Sequence, residues 1–319
     1  MRSPVFPVCA MPMPRFLASC STRCLYAWLP PIRIPTTPRT VNITSMSPAV
    51  PLTRIQPNPE FLSMRLIILL LSAFAIVGCQ NVPITGRSQF ILVDESEVAS
   101  MSASEFSKMK KLPADARLPK LREIGLKIVA AARRDDKAGV LPPSSKWEFA
   151  IIDDKTPNAF AMPGGKIGFN SGMFQYAPTD DDIAVILGHE VAHVICRHGS
   201  ERVSQVMGVA LAAAVADEAT KKSSAKTRSS WMAAVGIGAQ YGILLPFSRG
   251  HESEADYLGL LFMARSGYNP EAAPAFWSRF GKAGSKTPEF LSTHPSDSTR
   301  VKQLQGWLAE AKAQMPKKP

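Results

Sequence analysis

Apolar and polar positions divide the chain into segments of different kinds. Residues 1–63 have no sustained apolar period and hold twelve of the 27 prolines, so they bury too little surface to offset their ordering entropy. Leu66 to Val77 is then a twelve-residue apolar core. Gln89 to Val93 reads as a short strand. A helix capped by Asp94 or Ser96 runs to about Leu112, and an amphipathic helix covers Pro119 to Arg134. Trp147–Ile152, Asn158–Met162 and Lys166–Asn170 are three strand candidates, the last two joined by the turn Pro163-Gly164-Gly165. From Thr179 the period becomes helical. Thr179 is an N-cap, Asp180, Asp181 and Asp182 suit the helix dipole, Ile183, Val185, Ile186, Leu187, Val191, Val194 and Ile195 leave little polar surface, and Gly199 closes the helix.

Beyond it, Val203 to Ala216 reads as an Ala/Val-rich helix, Lys221 to Ser230 as a polar loop, and Trp231 to Phe247 as an apolar stretch with three glycines. Neither apolar stretch reaches about eighteen uninterrupted residues, so both are expected to pack and not to span; glycine-rich apolar helices that dip into membranes keep the second open. A helix starts near Ser248, and another follows Asp297 or Ser298 with Arg300, Val301, Leu304 and Trp307. These elements predict an α+β fold, mostly helical, with a small, largely antiparallel sheet ahead of the Thr179 helix. An edge of that sheet, at Asn158, Ala159, Phe160 and Ala161, is placed to pair with an extended peptide through main-chain groups. It could equally serve only as scaffold.

Charge and cysteine counts change meaning once the chain is divided. Of the +11 net charge, +5 lies in residues 1–63 (six Arg, one Glu) and +1 on Arg65, which leaves residues 79–319 mildly basic at +5. No cluster of Lys and Arg interleaved with aromatics appears, so nucleic acid is not expected as a partner. Cys9, Cys20 and Cys24 fall in the first 63 residues, Cys79 follows the apolar core, and Cys196 alone lies in the body. The body cannot build a disulfide framework, and Cys196 reads as a small buried residue.

Met64-Arg65, the apolar core and Ile76-Val77-Gly78-Cys79 have the order of a signal peptide, with an apolar stretch too short for a stop-transfer span. The ending resembles the lipobox of bacterial lipoproteins, which implies lipid on Cys79 and a mature chain that begins there. Residues 1–63 then precede the true start at Met64, although a Pro-rich linker or arm is conceivable. Residues 64–78 are the signal peptide, 79–94 a lipidated tether, and 95–312 one domain. Gln80 after the cysteine favours, by resemblance to the sorting rule, the periplasmic face of the outer membrane.

The candidate chemistry sits on the Thr179 helix. In Gly188-His189-Glu190-Val191-Ala192-His193 the two histidines are four apart and share a helix face. Two neutral imidazoles at that spacing suit Zn²⁺, and the Glu190 carboxylate is placed to take a proton from a water that the metal activates. A core helix that happens to carry two histidines is the plain alternative, and the chain has only five. A catalytic zinc needs a third protein ligand and one position left for water. Glu252 and Asp256 share a face of the downstream helix, so one can bind metal while the other supports a ligand histidine by a hydrogen bond. Glu254 points elsewhere and reads as a surface charge. Arg249 and His251 flank this segment and could touch substrate.

Taken in order, Asn158-Ala159-Phe160-Ala161-x-Pro163-Gly164-Gly165, His189-Glu190-x-x-His193, Glu252-x-x-x-Asp256 and Ser292-Thr293-His294-Pro295 resemble metallopeptidase family 48 over about residues 80–310. That family includes HtpX, the CAAX prenyl proteases, the mitochondrial Oma protease and several periplasmic lipoproteins. Asn81-Val82-Pro83-Ile84-Thr85-Gly86-Arg87 resembles the lipoprotein and Oma branch. The resemblance implies a zincin-like fold, one Zn²⁺ per chain on His189, His193 and Glu252, Glu190 as general base, and Asp256 supporting a ligand histidine. It also implies a zinc endopeptidase of misfolded or misassembled envelope proteins, with protein or peptide substrates. An assembly factor or holdase that binds clients and rarely cuts is the reading from another class, with 203–216 and 231–247 as its client surface. His294 is open between a loop-capping residue, a transition-state hydrogen-bond donor, and a fourth ligand that holds the enzyme inactive. The last is favoured, because a third imidazole, as fourth ligand, completes a tetrahedron.

Overall fold

The computed structural model describes residues 79–317, apart from 83, 137–138, 140, 144–145, 240–244, 283–293 and 295–298. The expectations for residues 1–63 and 64–78, and those for Ser292, Thr293, Pro295, Asp297 and Ser298, lie outside the described residues.

The expected tether is a small hairpin. Strand β1 (Cys79–Asn81) pairs antiparallel with β2 (Ser88–Phe90). Helix α1 (Glu95–Lys108) follows, with the Asp94 carboxylate accepting from the N–H groups of Ser96 and Glu97 at 2.9 and 3.1 Å. It stops short of Leu112 because a sheet edge captures the chain there: the Leu112 N–H donates to Ile151 O at 2.8 Å, and Lys111 bridges to Ile152. Helix α2 (Leu118–Ala132) buries Leu121, Ile124, Ile128 and Val129 along one face.

Strands β3 (Glu148–Ile152), β4 (Ala159–Met162) and β5 (Lys166–Asn170) form a sheet in the order β3-β5-β4. It is mixed, not largely antiparallel. Gly164 and Gly165, at φ +82° and +81°, turn β4 tightly into an antiparallel β5. Residues 153–158 carry the chain past one strand position, and β5 fills the gap parallel to β3. This leaves β4 at an edge, as the peptide-pairing expectation requires, although Asn158 and Ala159 are buried and Phe160 and Ala161 half-buried. Phe106 of α1 covers one face of the sheet with Ala150 and Ile152. Phe149, Ile151, Ile167 and Phe169 join the main core.

Helix α3 (Asp180–Ile195) is capped as expected, Thr179 Oγ1 accepting from the Asp182 N–H at 3.1 Å. Gly199 does not close it. The break is at Arg197, left-handed at φ 57° and held by Glu95 at 3.2 Å and Gln80 at 2.8 Å. Helix α4 (His198–Thr220) starts at once, so Gly199 lies in its first turn. Helix α5 (Ala225–Ala239) shortens the expected Ser/Lys loop to residues 221–224. Helices α6 (Leu245–Arg265), α7 (Ala272–Phe280) and α8 (Arg300–Ala313) complete the fold. Among the described residues no helix is long and apolar enough to cross a membrane.

The close crossing of α3 and α6 sets the site. Gly188 and Gly259 meet with no side chain between them. A Cβ on Gly259 would lie 2.7 Å from Gly188 C and His189 N, and one on Gly188 would lie 2.7 Å from Gly259 O. Backbone atoms cannot rotate away, so either helix would have to move. Gly259→Ala should cost about 1–3 kcal/mol of stability through overpacking. Gly208→Ala, where an added Cβ meets nothing within 4 Å, should be neutral or gain up to about 1 kcal/mol. Urea unfolding of the two variants measures the contrast.

Candidate metal centre

The α3–α6 crossing brings His189 and His193 against Glu252 and Asp256, and His294 enters from the segment before α8. Four donors converge. His189 Nε2 is 3.0 Å from His193 Nε2, 3.1 Å from Glu252 Oε2 and 3.2 Å from His294 Nδ1. His193 Nε2 is 3.5 Å from Glu252 Oε1, and His294 Nδ1 is 3.2 Å from both Glu252 oxygens. A tetrahedron with bonds of about 2.0–2.1 Å has edges of about 3.3–3.4 Å. These separations bracket that value, so two imidazoles, a carboxylate and a third imidazole fit a zinc-sized cation. His189, His193, Glu252 and His294 form a group able to hold a metal ion.

The electrostatics differ from one donor to the next. Against burial, which lowers it, the Asp256 and Glu252 carboxylates raise the His189 pKa to about 9. Burial pushes His193 well below its ordinary value. Against burial, His193, His294 and His189 hold Glu252 well below the usual carboxylate range. Glu190 behaves differently. Burial raises its pKa, opposed by His294 and His189. The Ala161 N–H on β4 also favours the charged form, yet neither Glu190 oxygen has a well-formed hydrogen bond among the described residues. His294 Nε2 lies 3.5 Å from Glu190 Oε1. Glu190 is thus a buried, undercommitted carboxylate beside the metal cluster.

Each expected ligand histidine has a partner behind it. Asp256 Oδ1 is 2.9 Å from His189 Nδ1 and accepts from Arg300 at 2.5 Å. The Arg300 guanidinium stacks 3.2 Å over the Trp277 ring. His193 Nδ1 is 2.8 Å from His198 Nδ1, and His198 Nε2 is 2.9 Å from Glu254 Oε2. Glu254 is no surface charge, since its side chain is only 7% exposed and paired with Arg87. His251, one of two residues that could touch substrate, is buried, stacked on His198 at 4.2 Å and bonded to Glu201 at 2.9 Å. Arg249 is exposed. Sequence reasoning missed Arg300, His198, Glu201 and Arg87. A usable signal existed: all five histidines of the chain gather here, each within ring contact of another.

Cys196, His198 and Glu254 form a second group close enough for a metal. The Arg87 guanidinium, 2.8 Å from Glu254, already supplies the positive charge there, and both His198 nitrogens are engaged. Burial raises the Cys196 thiol pKa well above its ordinary value, so the sulfur stays protonated, as suits a small core residue.

A model for peptidase family M48 matches residues 115–308. Mitochondrial metalloendopeptidase OMA1 of Schizosaccharomyces pombe is 32% identical over 268 residues, covering 80% of this chain and 75% of that protein. The Saccharomyces cerevisiae protein of the same name is 31% identical over 263 residues, 75% of this chain and 72% of its own. The beta-barrel assembly-enhancing protease of Yersinia pestis is 30% identical over 161 residues, 49% of this chain and 33% of that protein.

Glu201 carries a pH signature. Burial would raise its pKa, but hydrogen bonds from His251 and Arg87 hold it at about 2. A carboxylate depressed in the folded state adds stability above its unfolded pKa, and that stability is lost as pH falls towards the folded value. Between about pH 4.5 and 2 the stability of Glu201→Gln should therefore fall less steeply than that of the wild type. The difference should reach about 1.4 kcal/mol per pH unit at most, read from urea midpoints at stepped pH.

Proposed function

The chain belongs to peptidase family M48 and is a metalloendopeptidase, and on that premise we propose that His189, His193 and Glu252 hold one Zn²⁺ while Glu190 acts as general base. The observation that carries this reading is the convergence of the three donors at 3.0–3.5 Å beside a buried carboxylate without a well-formed hydrogen bond among the described residues. Zinc, when bound, supplies Lewis acidity, polarising a carbonyl and lowering the pKa of water towards about 7.

The chain's own residues do the rest. Glu190, whose pKa burial raises, accepts the proton of the attacking water and returns it to the leaving amine. Asp256 accepts from His189 Nδ1–H, which fixes the ring with Nε2 facing the cluster. The β4 edge, one N–H of which faces Glu190, is suited to align an extended substrate strand through Asn158, Ala159, Phe160 and Ala161. No side chain needs to attack covalently. His294 sits where a fourth ligand would sit, 3.2 Å from His189 Nε2 and 3.5 Å from Glu190. That supports a resting state in which His294 occupies the water position.

The proposed substrates are misfolded or misassembled envelope proteins. Support comes from the name of the Yersinia pestis relative and from Ile76-Val77-Gly78-Cys79, which suits a lipid on Cys79 and the periplasmic face of the outer membrane. The mitochondrial relatives weigh against that location. Incorporation of labelled palmitate by the wild type but not by Cys79→Ser would support the envelope; no incorporation by either would favour the organelle. A client-binding role has one observation in its favour, the apolar Val203, Val206, Met207 and Leu211 exposed on α4.

Glu190→Gln should retain zinc and lose about 10²–10⁴-fold in peptide hydrolysis, whereas His294→Ala should raise basal hydrolysis. Both are read with unfolded casein. Loss of activity in His294→Ala with zinc intact would identify that residue as a transition-state donor instead.

A further inference from the structure

The N-terminal hairpin reaches the metal centre without touching a metal ligand. Between β1 and β2 the chain closes a compact loop: the Val82 N–H donates to Arg87 O at 2.8 Å, and the Gly86 N–H donates to Val82 O at 2.9 Å. Val82 is buried, and Gly86 takes the φ of +70° that such a turn needs. Arg87 leaves this loop and spans two buried carboxylates. Its Nε donates to Glu254 at 2.8 Å, and its two terminal nitrogens donate to Glu201 at 3.1 and 2.8 Å. Thr85 Oγ1 donates to the other Glu254 oxygen. Arg87 thus connects the hairpin to α4 and to α6 at once, and a lysine, a point charge without the planar fork, could not do so.

The protons in this network have one consistent arrangement, given the reading above in which His193 offers its Nε2 lone pair to a metal. The His193 proton must then lie on Nδ1 and point at His198 Nδ1, 2.8 Å away. His198 accepts there, so its own proton is on Nε2 and donates to Glu254 at 2.9 Å. Glu254 is in turn paired with Arg87 at 2.8 Å. Every N–H in the sequence has an acceptor, and no imidazole carries an extra charge. His189 shows the same plan in shorter form, with Nδ1 on Asp256 and Asp256 on Arg300. Both ligand imidazoles therefore end on a carboxylate matched by an arginine. The His189 series ends inside the helical core, on α8, and the His193 series ends on the hairpin that begins at Cys79.

We propose that Arg87 is a positioning residue for His193, acting through Glu254 and His198, so that metal affinity depends on the seating of the 79–90 hairpin. The dependence rests on His193 being a ligand, and the experiment separates the two claims. The whole chain is stripped of metal and titrated with Co²⁺ against a competing chelator, with the visible ligand-field spectrum and the urea midpoint of the metal-free form recorded for each variant. His193→Ala tests the ligand reading: it should lose Co²⁺ binding, and binding like the wild type would remove the premise. Arg87→Met should bind Co²⁺ about 10–100-fold more weakly with shifted bands, because the His193 ring is no longer held. Should Arg87→Met fail to fold, Arg87→Lys keeps the charge and should show a smaller loss with the same direction of band shift. Lys108→Ala, on an exposed pair with Glu105, should match the wild type. If the folded Arg87 variants bind Co²⁺ with wild-type affinity and spectrum while His193→Ala does not bind, the proposal is wrong. A lowered urea midpoint with an unchanged spectrum and affinity would also overturn it, by making Arg87 a purely structural clasp.

Discussion

Burying charge is the constraint on which this structure turns. Glu190, Glu201, Glu252 and Asp256 are all buried, together with His189, His198, His251, His294 and Arg300. An unpaired charge in such surroundings costs several kcal/mol, so each must be answered locally. Asp256 is answered by Arg300, and Glu201 by Arg87 and His251. What remains is a knot of imidazole nitrogens and one carboxylate facing each other at tetrahedral-edge distances. Lone pairs cannot all face one point without something positive there, and a divalent cation satisfies four donors at once where a proton satisfies one pair.

The fold supplies the convergence through a helix crossing with no side chains at its centre. Because Gly188 and Gly259 touch backbone to backbone, the imidazoles that follow Gly188 fall within reach of the carboxylates one and two turns before Gly259. The sheet serves the same site from the other side. Its edge strand β4 brings a main-chain N–H towards Glu190. Scaffold and chemistry are therefore the same contacts, so a side chain added at Gly259, against the His189 backbone, is expected to act on stability and site geometry together.

Local signals were legible and long-range ones were not. The Thr179 cap, the i and i+4 histidines, and the shared face of Glu252 and Asp256 are all properties of single helices, and each stands where its spacing placed it. Glu254 was misplaced for a physical reason. Two residues from Glu252 is about 200° around the helix, so it does face away from the donor cluster, but the hairpin covers that face through a residue 167 positions earlier. Strand direction failed similarly. The glycine turn encodes the β4–β5 hairpin, whereas the parallel β3–β5 pairing depends on how residues 153–158 skip a strand. The break between α3 and α4 falls on Arg197, left-handed and with its guanidinium held by Glu95 and Gln80 from distant parts of the chain, and not on Gly199.

The proposed site holds one metal ion on nitrogen and oxygen donors from His189, His193 and Glu252. X-ray absorption at the zinc edge of the purified full chain, with metal content quantified in the same sample, addresses it most directly. That site requires about one zinc per chain with nitrogen and oxygen neighbours at about 2.0–2.1 Å and no sulfur. A sulfur neighbour at about 2.3 Å would place the metal at Cys196, His198 and Glu254 instead. A chain that folds without binding zinc would contradict the site altogether.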